Sequence, residues 1–165
     1  MSEEETKTFT SYTLELKDTS DLLDQFQLCL EAYLENPSHS GNAVTCAMLA
    51  WHTLEWHLWD ICASKDLFLI ERKNALDEHK CLWFIKDIAE GTKHGRDLDK
   101  KKRLVFSHRV QNGEFGPDFG EGFLIDDIFL TEEDGATYRM SEIVRETEHF
   151  LSSAIGSKCS DSPRS

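Results

Sequence analysis

The sequence predicts an α+β protein, mainly α: a helical bundle with a three-stranded antiparallel β-meander inserted before the last helix. Three observations carry this. Apolar residues recur at helical spacing through most of residues 19–90. Residues 104–140 switch to alternation broken by Gly-rich turns. Helical spacing then returns from Ser141 to about Ile155.

Taken in order, residues 1–17 form an acidic lead-in, in which Phe9–Leu16 alternates and reads as an edge strand or an ordered entry. Thr19 or Ser20 is the expected cap of the first helix, with Asp21 against its positive end. Leu22, Phe26, Cys29, Leu30, Tyr33 and Leu34 mark its inner face, and Asn36–Pro37 stops it. A second helix is expected over about Asn42–Ala63. Val44, Ala47, Trp51, Leu54, Leu58, Ile61 and Cys62 form its core face. Met48, Leu49, Trp56 and Trp59 gather in a second apolar sector around His52. A helix apolar on two sides is central to its fold or lies in an interface. Thr53, His57 and Asp60 are its expected polar strip.

Residues 66–80 read as a turn leading into a helix over roughly Asp77–Glu90, ended or loosened by Gly91. Strands are expected within 104–110, 122–130 and 136–140, joined by turns at Asn112–Pro117 and Glu132–Gly135. Ser141 is the expected cap of the closing helix, with Ile143, Thr147, Phe150, Leu151 and Ala154 facing inward. Residues 18–155 therefore make one domain, the meander occupying about 103–140, and 156–165 a disordered tail.

The chain has 165 residues and a formal net charge of −13. That charge argues against a general nucleic-acid coat, which needs positive surface against phosphates. It is uneven, however. Residues 1–36 carry −7 and 110–165 carry −8, whereas 86–109 carry +4. Lys100, Lys101, Lys102 and Arg103 centre this basic island, a candidate anion contact or a solvated loop paired with neighbouring acids.

No run of about 18–20 apolar residues exists to cross a membrane, and the acidic N-terminus does not read as a signal peptide. The five cysteines are odd in number and lack C-x-x-C spacing. They read as reduced thiols packed as small hydrophobes in a cytoplasmic protein.

Asp87–Ile88–Ala89–Glu90–Gly91–Thr92–Lys93–His94 is the string with most chemical promise. Glu90 precedes His94 by one helical turn, so a carboxylate could orient an imidazole as a base, with Lys93 beside it. The same residues could equally cap a helix. Glu146-x-x-His149 has di-iron spacing without the second copy such sites need. His52 and His57 lie about 140° apart on a helix and cannot share a metal unaided. No metal or other cofactor is expected. Met48, His52, Trp56 and Trp59 are the expected interface of a homodimer, or of a protein partner, because aromatics and Met are enriched in interface cores.

Trp51–Asp60 followed by Asp87–His94 resembles small bacterial and phage proteins with a Trp/His helix and a Gly-x-Lys-His motif. More distantly, the helical part resembles the HEPN superfamily, whose members include defence ribonucleases. The resemblance spans about residues 20–155. It implies a metal-independent ribonuclease using His94 and Lys93, with RNA guided by Lys100–Arg103. One departure weighs against that activity. The ribonuclease pattern places Arg and His with four to six residues between them, and Asp87, Ile88 and Ala89 fill the positions where the Arg would stand before His94. Arg103 and His108 have a suitable interval, but as strand residues five apart they would face opposite sides of a sheet. His108 then reads as a core or edge histidine. The expected function is a non-catalytic interaction or regulatory module that self-associates, with the ribonuclease as the alternative.

Overall fold

A computed structural model describes residues 16–94, 103–111 and 126–156. The expected edge strand or ordered entry up to residue 15, the turn at 112–117, Lys100, Lys101, Lys102 and the tail from residue 157 lie outside the described residues. The element order is α1 (Thr19–Glu35), α2 (Ser40–Ile61), α3 (Lys65–Glu78), α4 (Lys80–His94), β1 (Ser107–Gln111), β2 (Asp127–Thr131), β3 (Thr137–Arg139) and α5 (Met140–Gly156). The strands form one antiparallel sheet in the order β1-β2-β3, directly before α5. The predicted fold class is the observed one. Among the described residues no helix is long and apolar enough to cross a membrane.

Helix α2 is the hub, packed against α1, α3, α4 and α5. Its first half buries Ala43, Cys46, Ala47 and Ala50, small side chains that let neighbouring helices approach closely. Phe26 and Tyr33 of α1, Leu82, Phe84 and Ile85 of α4, and Val144 and Leu151 of α5 fill the space around it. The expected polar strip of α2 is corrected. Thr53 and His57 are buried, and only Asp60 is exposed. Thr53 turns its hydroxyl back onto the Leu49 carbonyl at 2.8 Å, which satisfies it inside the core. At the other edge Ile61, expected in the core, is exposed because α2 ends there.

Several caps differ from expectation. Asp18, not Thr19 or Ser20, caps α1 by accepting from the Asp21 amide, and Thr19 instead donates to Asp60 at the far end of α2. His39 Nδ1 caps α2, accepting from the Asn42 amide at 3.0 Å. The expected turn at 66–80 is a full helix, α3, capped by Ser64 accepting from the Leu67 amide. Gly91 does not end α4, which continues to His94 with Thr92 bonded back to the Ile88 carbonyl.

The meander begins at Ser107, later than the alternation of 104–110 suggested. The amides of Leu104 and Val105 are drawn off to the buried carboxylate of Asp87 on α4, at 2.5 and 3.1 Å. The face argument for Arg103 therefore does not apply, since Arg103 precedes the strand, and His108 sits exposed on edge strand β1 opposite Leu130. The turn between β2 and β3 falls as expected. Gly135 takes φ 89°, a left-handed conformation that glycine adopts without steric cost.

Ser141 is not the cap of α5 but lies within it. Its amide and hydroxyl both donate to Asp127 of β2, at 3.2 and 2.5 Å. The same fully buried carboxylate accepts from Arg139 Nε at 3.0 Å, the Ile128 amide at 2.8 Å and the Tyr33 hydroxyl at 3.4 Å. One side chain thus ties α1, β2, β3 and α5 together. Burial, then the Asp127 charge, push the Tyr33 phenol well above its ordinary range, which keeps it a donor.

Candidate functional site

Helices α2, α3 and α4 enclose a cleft of about 440 Å³. Met48, Trp51, His52 and Glu55 come from α2, Arg72 from α3, and Ala89, Glu90, Thr92 and Lys93 from α4. Two sets of residues singled out separately in the sequence converge here: Glu90 and Lys93 of the α4 string, and Met48 and His52 of the second sector of α2. They meet because the second sector of α2 faces α3 and the end of α4.

The cleft's charges are arranged in pairs. Arg72 reaches Glu55 at 3.3 Å, and His52 Nδ1 lies 3.7 Å from the other Glu55 oxygen. The Arg72 guanidinium also sits 5.9 Å from the Trp51 ring centre and 5.6 Å from that of Phe68. The neighbouring His52 imidazole, and after it the Arg72 guanidinium, hold the Glu55 carboxyl below its ordinary value against the opposing effect of burial. On α4, Glu90 pairs with Lys86 at 3.3 Å, and the Lys86 ammonium lies 5.1 Å from the Trp83 ring centre. Glu90 thus has a lysine one turn before it. Lys93 is exposed at the outer end of the cleft. His94 closes α4, and its side chain lies outside the described residues.

Arg103 lines a different cleft, also about 440 Å³, with Leu76, Asp77, Glu78, Lys80, Trp83 and Leu104. The one described member of the basic island therefore shares its cleft with two acids. Its guanidinium nevertheless passes close to α4, 3.7 Å from where a side chain on Gly91 would start. Trp56 is half-buried and Trp59 half-exposed, with the Trp59 ring stacked on Phe68 of α3 at 4.4 Å between centres. Helix α3 thus lies against the Trp59 end of this sector. Among the described residues no three His, Cys, Asp or Glu side chains gather as metal ligands.

Sequence reasoning missed Arg72 because it lay in a segment read as a turn. A signal was present: Ser64 and Asp66 form a helix start, and Phe68, Arg72, Ala75 and Leu76 follow at helical spacing. The exposed apolar side chains of α3 were missed for the same reason. Among the described residues eight large hydrophobics are exposed, and five of them (Trp59, Ile61, Leu67, Leu69 and Ile70) fall within the twelve positions from 59 to 70. Leu67 and Ile70 are one turn apart and share the outward face of α3. No family model, curated protein or solved structure matches the chain.

Proposed function

We propose that this protein is a non-catalytic interaction module that self-associates through the corner where α2 meets α3. The observation that supports this is the concentration of exposed apolar side chains at 59–70. Scattered exposed hydrophobics are ordinary, but a cluster on adjoining elements is the character of a protein–protein contact. The paired charges of the α2–α3–α4 cleft fit a polar border better than a catalytic centre, because each carboxylate there already meets a cation. Trp59 belongs to both the interface expected from the sequence and this corner. Met48, His52 and Trp56 lie further along α2 toward the cleft.

Light scattering after size exclusion, at tens of micromolar, tests the reading. It predicts about twice the chain mass of 19.0 kDa. A particle of 19.0 kDa rejects self-association.

The ribonuclease is the second reading, and the course of Arg103 favours it. A guanidinium beside Gly91 lies against the turn of α4 that ends in Lys93 and His94. Incubation with labelled structured RNA tests this. Cleavage by the wild type that is lost in His94→Ala supports it. Intact RNA with and without added metal rejects it.

A further inference from the structure

Helices α1 and α2 bring two cysteines into sulfur contact across their interface. Cys46 is fully buried on α2, and its thiol donates to Cys29 Sγ of α1 at 3.3 Å. Cys29 is only half-buried, so of the two residues it is the one with access to solvent. A disulfide requires about 2.05 Å between sulfurs. Side-chain rotation has to close the remaining gap of about 1.3 Å. We infer that Cys29 and Cys46 form an oxidisable dithiol, a modification site that hydrogen peroxide converts into a disulfide pinning α1 to α2.

The roles follow from access. Cys29 attacks the peroxide as its thiolate. The O–O bond breaks, hydroxide leaves and takes up the proton that the Cys29 thiol gave up, forming water, and Cys29 carries a sulfenic acid. Burial pushes the Cys46 thiol well above its ordinary range, so it reacts second, at contact distance, rather than first. Its sulfur attacks the sulfenic sulfur and the S–O bond breaks. The Cys46 proton leaves with the hydroxide as a second water. One peroxide gains two electrons and the two thiols lose them.

Peptide mapping of the reduced full-length chain, treated with a small molar excess of peroxide, tests this. Free thiols are then alkylated under denaturing conditions and the chain is cut with a glutamyl endopeptidase. Cleavage after Glu31, Glu35 and Glu55 places Cys29, Cys46 and Cys62 on separate peptides. The expected result is a Cys29–Cys46 linked pair, about 2 Da lighter than the two reduced peptides together and released by dithiothreitol. Cys29→Ser should leave Cys46 fully alkylated. The wild-type map alone decides the matter, even if a variant folds poorly. Cys29 recovered as sulfinic acid or alkylated without the link, or linked to Cys62 or Cys159, would overturn the proposal.

Discussion

The junction where β2 and β3 meet α5 buries a carboxylate completely, whereas the corner between α2 and α3 leaves five large apolar side chains exposed. At the junction Asp127 is surrounded by donors from four elements. At the corner, α3 buries only Phe68 and Leu76 and keeps Leu67, Leu69 and Ile70 outside. Each region inverts the usual rule that polar groups lie out and apolar groups lie in. The inversion at Asp127 closes on itself, since the donors that the carboxylate needs are all present within the chain. The inversion at the corner does not close among the described residues, where these five side chains remain exposed. A satisfied inversion serves stability, and the exposed one is the surface on which the proposed self-association rests.

Substitutions can break this contrast at either end. Asp127→Ala should have the largest effect, a loss of about 3–5 kcal/mol, because Arg139, Ser141 and Tyr33 lose their shared acceptor at once. Urea denaturation followed by far-ultraviolet circular dichroism measures it. Asp127→Asn should recover part of the loss through its remaining carbonyl oxygen. Phe68→Ala should cost about 3 kcal/mol, at the low end for a buried aromatic because its helix is peripheral, and should release the stacked Trp59 ring. A red shift in tryptophan emission would report that release.

Arg72→Ala should cost about 1 kcal/mol from a half-exposed ion pair and its contacts with Trp51 and Phe68. This effect carries a pH signature. Glu55 is held below its ordinary 4.5 in the folded chain, so its contribution is present above that value and disappears as pH falls through the folded one. The stability gap between wild type and Arg72→Ala should therefore narrow as pH falls below the ordinary Glu55 value. Ile70→Lys should move stability least, by about 0.5 kcal/mol or less, since the side chain faces outward. A large loss there would place Ile70 in the core and cancel the contrast.

The helical bundle, the meander and the central α2 were legible because their patterns are strong. Helix α2 shows two apolar sectors, and the strands alternate between clear turns. Helix α3 was not legible as a helix because its outward face is nearly as apolar as its inward one, which blurs the 3.6-residue period. Thr53 and His57 were misplaced because polarity was equated with exposure. A hydroxyl can bond its own helix backbone and sit in the core. Asp127 gave no local sign of its role, as the Ser141 it holds lies 14 residues away and Tyr33 lies 94. Cys29 and Cys46 each read correctly as packed thiols, but their contact depends on how α1 meets α2. Within the candidate site, Glu90, Lys93, Met48 and His52 were all named from the sequence. Their meeting in one cleft, with Arg72 between Glu55 and the aromatic rings, required α3.

Sedimentation velocity of the wild type beside Ile70→Lys, across about 1–100 µM, tests the central claim most directly. The wild type should shift from monomer toward dimer with rising concentration, and Ile70→Lys should remain monomeric with unchanged circular dichroism. Two identical profiles at every concentration would contradict it.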